Sequence, residues 1–214
     1  MANRNINEIY NFLVYIVRKQ RGVMLSIPEA MQALDTGQLD SVETWFSQYG
    51  ENQIIHDAIR KLRVYQPFTT DSSGFITFQP DYIHLFGAPF TIYGSTVTQM
   101  TFPEEDEFAF ALTNQVRPVS NDYPIAMNTN NGLSIYPQQT QIGAYWYLRR
   151  PSTPFLATTT VGRVITYDAG NSTQLEFSDV YINNIIANAL VYVGVNMSEQ
   201  EVTAFAEAYK KETE

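Results

Sequence analysis

The chain reads as an α+β protein: N- and C-terminal helices packed together, with a long central antiparallel β region between them. Three observations carry that reading. Over the first 66 residues apolar side chains recur at three- and four-residue spacing, as amphipathic helices require. From Phe68 to about Phe177 the chain turns into short β-branched and aromatic runs divided by Gly, Pro and Asn-Gly. After residue 178 the helical spacing returns. The expected organisation is therefore a helical part at 1–66, a β-rich insertion at 67–178, and helices at 179–214 that pack on the first ones.

Each element has its own signal. Ile6, Ile9, Tyr10, Leu13, Ile16 and Val17 form one helical stripe. Arg18, Lys19 and Arg21 suit the negative end of that helix, and Gly22 stops it. Ser26, Pro28 and Glu29 make a capping box with a proline in the first turn, opening a short helix through about Leu34. Val42–Tyr49 and Asn52–Val64 are expected as further helix, the latter with Ile54, Ile55, Ala58, Ile59 and Leu62 on one face and Pro67 closing it.

The expected strands are Gly74–Phe78, Tyr82–Leu85, Phe90–Tyr93, Thr98–Phe102, Ile125–Asn128, Leu133–Tyr136, Ala144–Leu148, Arg163–Tyr167 and Thr173–Phe177. Thr129-Asn130-Asn131-Gly132 between two alternating runs is a hairpin signal. Glu104–Leu112 fits a helical turn or a strand. Tyr181, Ile182, Ile185, Ile186, Ala189, Leu190 and Val193 then make a clean helical stripe, stopped by Gly194. Ser198 and Glu201 form a second capping box, opening a last helix to about Lys211.

Composition narrows the function classes. Charged residues are 16% and aromatics 14%. Few charges and many aromatics suit a surface destined for permanent contacts. The formal net charge of −9 argues against wrapping nucleic acid, which needs a basic footprint. It is compatible with a wall that DNA slides past. Cysteine is absent, so disulfides and thiolate chemistry are excluded. The first residues lead into an amphipathic helix rather than a signal peptide. The early apolar run Phe12–Val17 is far below the ~20 residues that span a bilayer. The expected place of synthesis is a cytoplasm.

The most informative stretch is Tyr145–Pro154. On an extended strand Tyr145, Tyr147 and Arg149 share one side, and Trp146, Leu148 and Arg150 the other. Both faces run from apolar to cationic, so both are expected to meet protein, either in a core or against a neighbouring subunit. Arg149 and Arg150 pair with a partner, stack on aromatic rings or bind backbone carbonyls. Glu104, Glu105, Asp106 and Glu107 form the densest charge cluster. They lack the alternation and turn glycine of a Ca²⁺ loop, so they are read as a solvated acidic face or an acidic lip that matches a partner. The candidate assembly interface thus comprises Tyr145, Trp146, Tyr147, Arg149, Arg150 and Glu104–Glu107.

Catalytic signals are weak. His56 and His84 are the only histidines, and nothing local orients either as a base. Metal-ligand spacing and a Gly-rich phosphate loop are missing. Arg150-Pro151-Ser152-Thr153-Pro154 matches a basic PxxP ligand, a pattern common by chance. No catalytic, cofactor or metal residues are expected.

The order of features resembles the head–tail connector proteins (neck rings or adaptors) of tailed bacteriophages, in particular those of crAss-like and related phages of Bacteroides-type hosts. The matching run is Pro80–Leu85, Arg117 through Tyr123-Pro124, Gly132–Pro137 and Tyr147–Pro154, with Val193-Gly194-Val195 before the last helix. Glu29–Phe46 and Gln53–Leu62 also fit, so the resemblance covers most of the chain. It implies a non-enzymatic virion subunit, made in the host bacterial cytoplasm. It further implies a closed ring, commonly of twelve copies, that contacts the portal and other neck or tail rings. Genomic DNA would be retained by that ring and ejected through it as a non-adhering passenger, with no membrane contact. The Tyr/Asn/Thr-rich β region also fits a carbohydrate- or receptor-binding module of a tail or cell surface. A hydrolase using scattered carboxylates such as Asp81 and Glu104 is the remaining class.

Overall fold

In the computed structural model, residues 4–50, 53–104, 106–162, 164–195, 197–198 and 200–206 are described. The chain forms two compact units: Met1–Lys61 with Pro151–Glu214, and Leu62–Arg150. The expected α+β class holds, with helices at both termini and an antiparallel β region between them.

The first unit is built on helices from both ends of the chain. Helix α1 spans Ile6–Arg21 and is capped by Asn5, whose Oδ1 accepts from the Glu8 amide at 2.9 Å. Its start is tied to the far end of the sequence. The Ile6 amide donates to Gln174 Oε1 at 2.6 Å, and the Arg4 guanidinium donates to Asn183 Oδ1 at 2.8 Å. Gly22, at φ 69°, ends the helix as the sequence predicts.

Helix α2 is one element of 21 residues, Ile27–Ser47, where two shorter helices are expected. The Asp35-Thr36-Gly37 stretch is a poor helix former, but Gly37 is where α5 (Asp179–Tyr192) crosses. A Cβ on Gly37 would lie 2.6 Å from the Ala189 nitrogen and 2.8 Å from the Ile185 carbonyl oxygen. The glycine therefore serves a close helix approach rather than a stop. Ser41 stitches the crossing: its Oγ donates to the Gly37 carbonyl at 2.8 Å and accepts from Asn188 Nδ2 at 2.9 Å. The α5 stripe, Ile182, Ile185, Ile186, Ala189 and Leu190, is buried and packs chiefly on α2, with α1 also in contact.

The expected helix 52–64 is shorter. Helix α3 covers Gln53–Ile59, a 3-10 turn follows at Arg60–Leu62, and strand β1 begins at Arg63. Strand β1 (Arg63–Thr69) includes Pro67, paired opposite Ala144. It is an edge strand, where a missing N–H is tolerated. Near the end of the chain β9 (Thr158–Val161) and β10 (Val164–Tyr167) form a separate hairpin. Arg163 and the expected end of the last helix at Lys211 lie outside the described residues. Thr173–Phe177 is not a strand. Only Thr173 forms a bridge, with Phe155, while Leu175 and Phe177 are buried from irregular backbone. The last helix is seen at residues 200–206, opened by the Ser198 amide donating to Glu201 Oε2 at 2.7 Å.

The second unit holds two antiparallel sheets. The larger runs β1-β8-β4-β5, with β3 also on β8; the smaller runs β2-β7-β6. The remaining strands are β2 (Phe75–Thr77), β3 (Tyr82–Leu85), β4 (Phe90–Tyr93), β5 (Thr96–Gln99), β6 (Ile125–Thr129), β7 (Gly132–Tyr136) and β8 (Ile142–Arg149). Strand β5 starts earlier than the expected Thr98 because Gly94, at φ 60°, makes a tight turn that pairs Tyr93 with Thr96. Glu104–Leu112 resolves as helix α4, Phe108–Leu112. In the β6–β7 hairpin the turn residues are Asn130 and Asn131, and Gly132 is already in β7. A Cβ there would lie 1.8 Å from the Ile76 carbonyl oxygen, so Gly132 admits β2 rather than shaping the turn. Ile76, Met100, Ala126, Leu133, Ile135, Tyr145 and Tyr147 make the core.

These units differ from the expected insertion at 67–178. The sheet begins before residue 67 because β1 pairs with β8 along its whole length. After Arg150 the chain rejoins the helical unit: Ser152 O accepts from Gln38 Nε2 at 3.1 Å, and the Ser152 amide donates to Glu176 Oε1 at 2.7 Å.

Candidate assembly surface

Strand β8 decides what the Tyr145–Pro154 tract can do. It lies inside the larger sheet, with β1 along one side and β3 and β4 along the other. Its side chains alternate between two faces as period two demands. Gly143 makes room at one end: a Cβ would lie 2.2 Å from the Phe90 carbonyl oxygen and 2.6 Å from the Phe68 ring.

The inner face carries Tyr145 and Tyr147, both buried, among Phe68, Phe78 and Tyr82. Phe78 and Tyr82 stack at 3.8 Å, and Tyr147 lies 5.7 Å from Tyr145 and 5.9 Å from Tyr82, ring centre to ring centre. The Tyr147 hydroxyl donates to Asp81 Oδ1 at 3.0 Å. Burial pushes the Tyr82 phenol up to about 12. The Tyr147 phenol is also pushed to about 12, by burial and then by its hydrogen bond to Asp81. The Tyr147 phenol, held neutral in this way, acts as a core hydrogen-bond donor to Asp81. Tyr145 and Tyr147 therefore present no side-chain surface to another molecule, which corrects their place in the expected interface. The physical reason is the second sheet, whose Leu133 and Ile135 cover this face.

The outer face is different. Trp146 is half-buried, and the Arg63 guanidinium lies 4.3 Å from its ring and 4.7 Å from that of Phe86. Tyr65 joins the array at 4.9 Å from Trp146 and 6.4 Å from Phe90. Arg63, which the sequence reading did not single out, is thus the arginine that stacks on Trp146 and Phe86. Arg149 donates from Nη1 to the Arg150 carbonyl at 3.1 Å, and the Arg150 amide donates to the Asp81 carbonyl at 2.6 Å. The Arg149 side chain thus binds a backbone carbonyl, one of the expected roles, while the Arg150 bond is made by its backbone amide. Arg63 and Tyr65 escaped the sequence reading because a helix is expected through Val64. In the fold Arg63–Thr69 alternate exposed and half-buried, but Arg-Val-Tyr-Gln-Pro-Phe-Thr has no apolar–polar alternation to announce that strand.

Further along the same face, Ile142, Ile92 and Val97 sit in register across β8, β4 and β5. Their exposures are 58%, 37% and 63%. With Tyr65 this makes an apolar, aromatic outer sheet surface bearing few charges. Glu104, Asp106 and Glu107 are exposed on the same unit, beside the short helix α4; Glu105 lies outside the described residues. Pro151 and Pro154 are buried, so the PxxP match is part of the fold rather than a displayed ligand.

His56 stacks on Tyr49 at 3.9 Å, and His84 sits in β3 opposite Leu148. Asp81, the carboxylate considered for hydrolysis, accepts the Tyr147 hydroxyl. Among the described residues no three His, Asp or Glu side chains come together as metal ligands. None of the described helices is long and apolar enough to cross a membrane. No protein-family model matches the chain, and no curated protein does so with significance.

Proposed function

We propose that the chain is a structural subunit of a ring at the head–tail junction of a tailed phage, through which genomic DNA is retained and ejected. The observation that carries this reading is the outer sheet surface: Tyr65, Ile92, Val97 and Ile142 are exposed together on a rigid sheet and carry no charge. Contiguous exposed apolar surface of this kind marks interaction sites on otherwise soluble folds. The motif order of the phage neck proteins and the net charge of −9 add to it. An acidic protein gives passing DNA no cationic hold. The direct test is imaging of virions together with mass measurement of the purified chain. Closed oligomers and labelling at the neck are expected. A monomer at every concentration, absent from particles, would overturn the proposal.

A second reading rests on a cleft of about 330 Å³ in the β unit, lined by Tyr93, Asn121, Gln139, Thr140 and Gln141 among others. A tyrosine beside amides and hydroxyls suits a sugar. Saturable binding to a host glycan by a stable monomer, lost on Tyr93→Ala, would favour it over the ring.

A further inference from the structure

The hairpin β9–β10 is uncovered to an unusual degree. Thr158, Thr159, Thr160, Val164, Ile165 and Thr166 are all exposed, so both of its faces meet solvent; Ile165 is 69% exposed. A two-stranded ribbon without a covered face is marginal in water. Yet its base is firmly held. The Asp168 amide donates to the Ala157 carbonyl at 3.0 Å, the Ala157 amide donates to Ser172 Oγ at 2.9 Å, and Phe155 and Thr173 exchange backbone hydrogen bonds. A fastened base and a bare, β-branched arm leave the arm's contacts to another molecule.

The edges of the ribbon say what kind of molecule. Among the described residues β9 and β10 pair only with each other, and β5 pairs only with β4. An unpaired edge is a row of backbone donors and acceptors, and its natural occupant is another strand. Folded proteins blunt such edges with lysine, proline or a bulge. Thr96–Gln99, Thr158–Val161 and Val164–Tyr167 contain no charge and no proline, and their registers are unbroken.

The two edges also match in side chains. The apolar row Ile142, Ile92, Val97 runs across three strands and stops, exposed, at the β5 edge. A strand added there would continue the row with its own β-branched residue, which Val164 or Ile165 supplies. Charge agrees. Arg163 is the single charged residue of the 158–167 arm, and the segment after β5 carries Glu104, Asp106 and Glu107.

We infer that the β9–β10 hairpin of one copy adds to the β5 edge of a second copy and extends its five-stranded sheet. This rests on the self-assembly proposed above and specifies its contact. The two patches differ, so the contact is heterologous and propagates head to tail, as a ring requires.

Because the chain has no cysteine, single-cysteine variants report the contact cleanly. Full-length Val97→Cys and Ile165→Cys are mixed at assembly concentration and oxidised. Val116→Cys, at a position 90% exposed, is the control. The 97–165 cross-link is expected to exceed both the 116–165 and the 165–165 products. Val97→Lys and Ile165→Lys, both at exposed positions, are each expected to keep the parent's circular dichroism and melting. Each should weaken self-association about tenfold or more, read from the dissociation constant. The pair together should weaken it little further. Cross-linking of 97 to 165 at control level, a dominant 165–165 product, or lysine variants that associate like the parent would overturn the contact. Closed rings that persist in both lysine variants would overturn the contact and leave the ring standing. A parent that never self-associates would overturn both.

Discussion

The hairpins β6–β7 and β9–β10 begin from similar local sequences and meet opposite fates. Each joins two short apolar and β-branched strands through a two-residue turn. In β6–β7, Ala126, Leu133 and Ile135 are fully buried, and β2 pairs on the outer side of β7. In β9–β10 neither face is covered and neither edge is paired among the described residues. Local sequence makes a ribbon in both places. A second layer, supplied by residues far away in the chain, decides whether the ribbon is core or an arm awaiting a partner.

The sharpest way to break that comparison is to put one charge in each hairpin. Ile135→Asp buries an unpaired carboxylate and should cost several kcal/mol, enough to prevent cooperative folding of the β unit. Ile165→Asp, at a surface position, should change monomer stability by about 0.5 kcal/mol or less. Urea unfolding of the two variants measures both, and equal costs would erase the distinction.

The glycines give a smaller contrast. Gly132→Ala drives a Cβ against the Ile76 carbonyl and should cost about 3 kcal/mol. Gly162 has nothing within 4 Å of its would-be Cβ but sits at φ 68°. Its alanine variant should cost only the left-handed penalty, about 1 kcal/mol. Thermal melting orders them, and a Gly162→Ala loss as large as that of Gly132→Ala would show that the arm is packed after all.

The mildest probe is pH. The Tyr82 and Tyr147 phenols beside β7's core sit above the ordinary value of 10.0, at about 12. Their contribution is complete below pH 10 and is lost as pH rises from 10 to 12. Tyrosinate absorbance should therefore lag behind that of exposed tyrosines and appear together with loss of near-ultraviolet circular dichroism. Asp168, at the arm's base, is held below the usual aspartate value by the Asn171 side chain and by backbone amides. Its help is present above pH 3.8 and fades as pH falls through the lower folded value. Amide exchange should then loosen at residues 157–172 before the β core responds. Alkaline loosening of the arm ahead of the core would contradict the assignment.

Much of this architecture was legible in advance, for reasons that are local. Capping at Ser198–Glu201, the stop at Gly22 and the α5 stripe depend on neighbours within one or two turns, and all are in place. Errors fell where a distant partner overruled local preference. The stretch after Leu34 reads as the end of a helix until α5 is seen crossing at Gly37. Arg63 and Val64 read as the tail of a helix until β8 claims them for a strand. The candidate interface split for the same reason. Period two placed Tyr145 and Tyr147 on one face and Trp146 on the other, but not which face a second sheet would cover.

By itself the sequence determined the α+β class, the end of α1, the start of α2, the α5 stripe, most strand positions, the acidic balance and the absence of thiol chemistry. Each of these follows from composition or from contacts a few residues long. Tertiary structure alone decided that α2 is continuous, that Tyr145 and Tyr147 are core, that Arg63 stacks on Trp146 and Phe86, and that β9–β10 stands bare among the described residues. These depend on which surfaces meet in the folded chain, and burial is a property of the pair, not of either strand.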